Sequence, residues 1–548
     1  MNTHKVSSVG RGVHHARMRV YTVLEQALPD DQVSRFVHAA LILLALGSVS
    51  SVVFESIPSL RSRYELIFFA IELVTVSVFT IEYALRLWVA PLHPPFRRLN
   101  FFRAAFKQAI SLPALIDLLT ILPFYLALVS PADLRVFIVF RIIRFLKIAR
   151  YSPGIRSLYE AIINERRALE LLRNKGALHA AEIARLIGLS RPTTADILRG
   201  LVENGLVQEY LPGEEDSKRA KSVFEAIADV KVSVGIDIGS RFIRAAVGDL
   251  DGKIRSNVSI PVKAKSLKAI TSYINEAVSS ALNDSGYKLK DVNSICVGTP
   301  GVIQQSSGVV SIAGTIAALD GVNLSELIKS NFGIKPTVEN DINVLTVAEQ
   351  SAGHGKGLSN FCVLSVGSGL GGGLVLNGQL HRGHHGAAGE VFYVPFGDPH
   401  DKHRSDTNPS GDRIAEITRN LAKKYRKSSL QEPYSTVDIL DAAKAGDALG
   451  KAVVSQEAER IALYIAAVSA ITDVELVVLS GGIGRQAEFF LAPIKKLVSE
   501  ILPFPPKIAV SKLGDNGILI GTLQIATEEA REKVFQSAMV PAALEQAK

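Results

Sequence analysis

The side chains of this 548-residue chain best placed for chemistry lie around three glycine-rich turns in its second half. Val234-Gly-Ile-Asp237-Ile-Gly239 closes a strand-like run with a carboxylate and a turn. Gly367-Ser-Gly369-Leu-Gly371 is a second such turn, and Ser480-Gly481-Gly482-Ile-Gly484 is a third, after the apolar run Leu476 to Leu479. Turns of this kind bring backbone N–H groups to a phosphate and a carboxylate to its counter-cation. Three in order predict a nucleotide- or phosphate-binding cleft contacted by Asp237, Gly239, Gly367, Gly369, Gly371, Gly481 and Gly482. Glu339-Asn340-Asp341 adds a carboxylate able to act as general base on a sugar hydroxyl, and Gly389-Glu390 adds a second acid. Asn340, Asp341 and Glu390 are the candidate sugar ligands, with Asp341 the candidate base.

A second set of charges sits where charge is costly. Arg135, Arg141, Arg144, Lys147 and Arg150 recur at intervals of three or multiples of three, with Ile138 in the slot that would complete the series. Three residues turn a helix by about 300°, so these cations wind along it as a shallow stripe. Their helix is the fourth of four apolar segments, at about Phe36–Phe54, Leu66–Val89, Ile110–Val129 and Leu134–Ala149. The first three approach the ~20 residues that span a bilayer. A cation inside a bilayer needs an anion or water. Glu72 and Glu82 on the second segment and Asp117 on the third are the partners on offer, and Phe79 shares a helix face with Glu82.

Loop charges set the orientation. Lys5, Arg11, Arg17 and Arg19 precede the first segment, Arg97, Arg98, Arg103 and Lys107 separate the second from the third, and Arg150, Arg156, Arg166 and Arg167 follow the fourth. The other two loops are poorer in cations, so both termini are expected in the cytoplasm. The polar N-terminus reads as having no removable signal peptide. Pro153 and Gly154 are expected to interrupt the chain soon after the fourth helix.

Between these two groups, residues 165 to 176, Ala180 to Ile187 and Arg191 to Asn204 read as three short helices. Gly188 supplies a turn, Ser190 an N-cap and Pro192 a first-turn residue. Leu169, Leu172, Ile183, Leu186, Ile197 and Leu201 recur at helical spacing and predict a small core. Arg191, Thr193, Thr194 and Arg199 on the third helix are expected to face a DNA groove or its phosphates. Gly205 to Tyr210 reads as the start of a wing, with Lys218, Arg219 and Lys221 near the DNA backbone.

The whole chain is 47% hydrophobic and 21% charged with a net charge of +8, which fits a membrane part joined to a soluble part. Two cysteines, Cys296 and Cys362, exclude a disulfide framework or a Cys-rich metal site and suit a reducing compartment. From Val230 onward strand-like runs alternate with helical patterns, as in an α/β domain. Ile461 to Leu479, the longest apolar run there, carries Thr472, Asp473 and Glu475 and reads as a helix followed by a strand.

Two family resemblances emerge. Phe79-Thr-Ile-Glu82-Tyr-Ala-Leu-Arg86, Ile116-Asp117, the basic helix and Ala149-Arg150-Tyr151-Ser152-Pro153 resemble the voltage sensor of bacterial potassium channels, over residues 20 to 169. The resemblance implies that Phe79, Glu82 and Asp117 form a charge-transfer site, with Arg141, Arg144 and Lys147 as the strongest gating charges. The family's two pore helices and its Thr-Val-Gly-Tyr-Gly filter do not follow. Residues 165 to 525, with three Gly turns after a helix-turn-helix, resemble the regulators of the ROK family (repressor, open reading frame, kinase). That implies an actin-like ATPase fold of two α/β lobes, a sugar effector, and possible use of ATP and Mg. Departures are visible. Family kinases open with Asp-x-Gly-Gly-Thr, where this chain has Ser240 and Arg241 after Gly239; Thr315 stands for a sugar-contacting Asn; and Gly389-Glu390-Val-Phe392-Tyr393 lacks the family's zinc-binding His, as it lacks the three Cys ligands. No family zinc site is expected, and His384, His385, His400 and His403 read as a solvent-facing loop cluster.

The expected architecture is therefore multidomain. It comprises an N-terminal cytoplasmic segment (1–30), an all-α four-helix transmembrane voltage-sensor bundle (31–164), a winged helix-turn-helix (165–225), a two-lobed actin-like ROK domain (230–530) and a tail (531–548). The expected function is a membrane-anchored transcriptional regulator of the bacterial inner membrane, multi-pass, whose partners are the lipid bilayer, duplex DNA, a sugar or sugar derivative, and further copies of itself as a dimer or tetramer. The alternatives are an ATP-dependent sugar kinase, and a truncated or mis-joined channel remnant fused to a ROK protein.

Overall fold

The computed structural model of the chain describes residues 16–26, 31–55, 57–93, 100–129, 144, 153–211, 222–367, 369–396, 409–486 and 491–546. They form two compact units, Met1–Arg166 and Arg167–Lys548.

The first unit is helical: α1 (Gln32–Glu55), α2 (Pro58–Val89), α3 (Phe101–Ala109) and α4 (Leu112–Val129). Its polarity is inverted. Ser48, Glu72, Thr75, Glu82, Arg86, Asp117, Thr120 and Arg144 are buried, while Phe36, Leu43, Leu66, Phe69 and Ile81 face outward. Charge inside and hydrocarbon outside is the arrangement a bilayer selects. α1 and the stretch Ser59–Leu92 are each long and apolar enough to cross a membrane, and Phe101–Ala109 with Pro113–Leu122 makes a third candidate if it is one span bent by 75°. The third apolar segment thus differs from the sequence expectation. Its helix starts at Leu112, and a separate amphipathic helix precedes it, capped where the Asn100 side chain accepts from Arg103 N at 3.0 Å. The expected fourth segment lies outside the described residues, Arg144 excepted.

The chain reaches the second unit on α5 (Pro153–Lys175). Pro153 and Gly154 open this helix instead of interrupting it, because proline lacks only an N–H that a first turn leaves unused. β1 (Leu178–His179), α6 (Ala180–Ile187), α7 (Arg191–Glu203), β2 (Val207–Tyr210) and β3 (Val223–Ala226) follow, with the strands ordered β1-β3-β2. This is a winged helix. Gly188, at φ 75°, turns α6 into α7, and Ser190 caps α7 by accepting from Thr193 N at 3.2 Å.

Two lobes of one plan come next. The first lobe holds β4 (Val232–Ile238), β5 (Phe242–Asp249), β6 (Ile254–Pro261), β7 (Val292–Thr299) and β10 (Thr337–Asn340), in the order β10-β7-β4-β5-β6; a small hairpin, β8 (Val302–Gln304) with β9 (Val309–Ser311), sits apart. The second lobe holds β11 (Phe361–Val366), β12 (Leu370–Leu376), β13 (Gln379–Leu380), β14 (Leu476–Ser480) and β15 (Lys507–Val510), in the order β13-β12-β11-β14-β15. Each sheet joins an antiparallel hairpin to parallel strands. β4 is buried along its whole length, as a strand covered on both faces must be. Helix α8 (Asp341–Ala352) leaves β10, α9 (Ala448–Thr472) builds the core of the second lobe, and α10 (Gly517–Gln546) returns to the first. Gly235 permits that return: a Cβ there would lie 2.6 Å from Thr522 Oγ1 and 2.8 Å from Leu523 N.

Candidate functional site

The three predicted Gly turns converge on one cleft between the lobes. A cavity of about 960 Å³ is lined by Gly239, Gly367, Gly369, Gly371, Gly481 and Gly482 together with Asn340, Asp341, Glu390 and Thr315. The sequence-predicted nucleotide and sugar residues therefore share one space, with Asp237 lining an adjoining cavity. Gly481, at φ 81°, turns β14 sharply, and a Cβ there would collide with the Val366 carbonyl.

Asp341 sits at the first turn of α8. The Asn340 side chain caps this helix, accepting from Ile342 N at 2.9 Å and Asn343 N at 3.1 Å, while its amide donates to Gly301 O at 2.9 Å. Asn340 is thus committed to shaping the turn that presents Asp341. Loss of solvent, then the Asp237 carboxylate, then Glu390 push the Asp341 carboxyl up to about 7, against the N–H of Ile342, which holds it down. Burial also raises Glu390. Behind them, buried Glu339 accepts from Asn343 Nδ2 at 3.0 Å and pairs with Arg382. A carboxyl near neutrality beside a second acid suits hydrogen bonding to a polyol, as acceptor when ionised and donor when protonated.

Asp237 is engaged differently from expectation. Arg244, opposite it in the β4–β5 register, donates to its carboxylate at 2.8 Å. Burial raises the Asp237 carboxyl, and Arg244 opposes the rise. A magnesium–nucleotide site needs a carboxylate open to the ion's water shell. This one is buried under a guanidinium, so the residues present do not fit the Mg-ATP implied by the family.

In the first unit, the buried Arg144 guanidinium meets Glu72 through two bonds of 2.7 Å, Ser48 Oγ at 2.5 Å and the Thr120 carbonyl at 3.2 Å. Nearer the other end of α2, Arg86 pairs with Glu82 and Glu25, each at 2.6 Å, and lies 3.9 Å from Asp117. Buried Phe79 stands between the two acid groups along α2. Arg135, Arg141, Lys147 and Arg150 lie outside the described residues. On α7, Arg191, Thr193 and Arg199 are exposed, Arg199 with Asp196 at 3.3 Å. Thr194 is a correction. It is fully buried and its hydroxyl donates to Ser190 O at 2.9 Å, so it belongs to the core of the module and not to a DNA face.

The sequence model of the ROK family matches residues 233–529, more than half of the chain. The chain belongs to the ROK family. The IclR helix-turn-helix model matches residues 167–209, and the ion transport protein model matches residues 34–170. The xylose repressor of Caldicellulosiruptor bescii is 25% identical over 387 residues, covering 67% of this chain and 96% of that protein. A protein of Rhodopseudomonas palustris described as a potassium channel protein is 40% identical over 154 residues, 28% of this chain. The chain spans only 37% of that relative's length. A ROK family transcriptional regulator of solved structure, a homolog of the E. coli MLC protein, superposes with a TM-score of 0.59 at 22% identity, over 70% of this chain and 99% of that one. That likeness establishes the two-lobed fold.

In this ROK domain, Phe392 and Tyr393 stand at the positions after Val391 where the family's zinc-binding motif would continue, and the rings of His384 and His385 stack edge-on at 4.5 Å. Among the described residues no group of three or more His, Cys, Asp or Glu side chains is placed to hold a metal ion; His400 and His403 lie outside them. Several residues that contact the candidate site residues or their immediate neighbours escaped the sequence reading: Arg244, Arg382, Arg485, and the Arg144 partners Ser48 and Thr120. For Arg244 a signal existed, since it is a lone cation in an apolar strand one turn after Asp237, and the four residues between paired Ile238 and Ile243 set the two opposite each other.

Proposed function

We propose that the chain is a membrane-tethered transcriptional regulator whose ROK domain senses a sugar or sugar derivative. The observation that carries this reading is the joining, in one chain, of a helix-turn-helix whose third helix exposes Arg191 and Arg199 to a cleft lined by Asp341 and Glu390, beside which Asp237 is paired with Arg244. The xylose repressor, similar over both of these parts, supports it. In this reading the first unit is a multi-pass anchor in the bacterial inner membrane with both termini cytoplasmic, and the regulator works as a dimer or tetramer on a palindromic operator. Reporter fusions after Ser130 should report the outside and those after Lys175 the inside. The decisive test is selection from random duplexes by the full chain in nanodiscs. A two-fold symmetric motif whose occupancy responds to a sugar is expected; no enriched motif would remove the reading's main support.

The kinase reading has one observation in its favour, Asp341 poised near neutrality at a helix start. A coupled assay across sugars should find little turnover; robust turnover lost in Asp341→Asn would promote the kinase instead. The matches to the channel and helix-turn-helix families overlap at residues 167–170. A single native transcript read across codons for residues 160 to 180 separates a natural fusion from a mis-joined remnant.

A further inference from the structure

Beside the polyol cleft lies a smaller cavity of about 340 Å³, and its wall is rich in arginine. Three guanidinium groups line it, from Arg241, Arg244 and Arg485, against the carboxylates of Asp237, Asp515 and, where the two cavities meet, Asp341. Arg244 spends one nitrogen on Asp237. Arg485 pairs with Asp515 and donates Nε to Gly481 O at 3.3 Å. Arg241 is exposed and makes no side-chain ion pair among the described residues. Each guanidinium carries five N–H donors in a planar fork, so all three keep donors for a further acceptor. The same wall includes Gly239, Ser240 and Gly481, where backbone approaches the cavity closely.

In a nucleotide-using site of this fold a metal ion would stand between the acids and the phosphates. Here arginine already neutralises the metal-facing acid, and further arginine surrounds the space the phosphates would fill. Arginine binds a phosphoryl group directly, through paired N–H bonds, without a metal. The cavity also opens into the polyol cleft through Gly239, Ser240, Arg241 and Asp341, which line both. One small ligand can therefore set its hydroxyls on Asp341 and Glu390 and its anionic end on the arginines.

Resting on the sugar-sensing reading above, we infer that the effector is a phosphorylated sugar whose phosphate is held by Arg241, Arg244 and Arg485 with no metal ion between.

The test is calorimetric titration of the full chain in nanodiscs, in chelator, with a hexose and its 6-phosphate, a pentose and its 5-phosphate, inorganic phosphate, and ATP with and without added Mg²⁺. At least one sugar phosphate should bind about tenfold or more tightly than its parent sugar, the margin expected of one or two charge-assisted hydrogen bonds. Inorganic phosphate should compete with it. Arg241→Gln and, separately, Arg485→Gln should bring the ratio of phosphate to parent affinity close to one, with Arg241→Lys retaining part of it. Equal binding of parent and phosphate would overturn this inference and leave sugar sensing standing. A phosphate preference that appears only with Mg²⁺, or ATP binding tighter than every sugar phosphate, would overturn it in favour of a nucleotide. If no sugar binds but inorganic phosphate binds in an Arg241-dependent way, the anion site stands and the sugar reading falls. If nothing binds, both fall.

Discussion

Asp341 is the residue whose charge state the fold controls most visibly. Its carboxyl is raised from 3.8 to about 7 by burial first and by Asp237 and Glu390 next. The folded domain then keeps a proton that the unfolded chain releases, so the unfolded state binds fewer protons throughout that interval. Stability therefore falls as pH rises from about 4 to about 7, and the penalty is complete above it. Asp341→Asn should flatten this slope and, above neutrality, stabilise the domain by on the order of 1–2 kcal/mol in a cleft partly open to water, read as a higher Tm. Thermal melts of the full chain across that range check it, and an unchanged slope in the variant would refute the assignment. Arg144 poses the opposite case. Removing it by Arg144→Gln takes away two charge-assisted bonds from buried Glu72 and should destabilise the helical unit by about 3 kcal/mol, with Glu72→Gln added to it recovering part of the loss; limited proteolysis in detergent reads both. The acids of each site were legible in the sequence because carboxylates in apolar runs are rare. Their actual partners were harder to see, since Arg244, Ser48 and Thr120 meet them across strand register or helix packing.

At the scale of elements, local signals gave the bounds of α6 without error, Ala180 to Ile187, because an αL glycine and a serine cap act within a few residues. Gly188 has open space around its Cα position and a φ of 75°. Gly188→Ala should therefore cost only the left-handed backbone penalty, about 1–2 kcal/mol, visible as a lower Tm of the winged helix. The misplacement of Thr194 has a plain cause. It precedes Ile197, Leu198 and Leu201 by three, four and seven residues, which is the spacing of one helix face, and all three are buried. Thr193, one residue earlier, points about 100° away from that face. Thr194→Ala is accordingly expected to lower stability by about 1 kcal/mol and leave operator preference intact. Arg191→Ala with Thr193→Ala should instead reduce sequence-specific affinity by about 1–3 kcal/mol per lost base contact. Quantitative gel shifts with specific and scrambled duplexes separate the two. The start of α5 was missed because Pro-Gly reads as a break, while a proline in the first turn is neutral to the helix it opens.

At the scale of the whole molecule, the open matter is whether membrane potential reaches the regulator. Moving one charge across the full field is worth about 2.3 kcal/mol per 100 mV. The resistance is set by what Arg144 holds. To pass from Glu72 to the acid at Glu82 it must travel ten residues along α2, roughly 15 Å at helical rise, past the buried ring of Phe79. It must also release a bidentate pair whose breaking costs about 3–5 kcal/mol unless another cation takes its place. A following cation can relieve that cost for one step, and Arg141 is spaced to do so. The next position in the series is Ile138, which carries no charge, so a second step brings no further cation of the series to Glu72. One step carries Arg144 and Arg141 each through a fraction of the field, and so is worth less than about 4.6 kcal/mol at about 100 mV. A shift that small cannot carry a two-state element from mostly one form to mostly the other, which takes about 5.5 kcal/mol. The first unit is therefore expected to act as an anchor. Full chain reconstituted in vesicles, with a fluorophore on α7 and an ion-gradient potential imposed, should show DNA affinity constant between zero and about 100 mV. A voltage-dependent affinity that Arg144→Gln abolishes would show instead that the charge at Arg144 does drive the regulator.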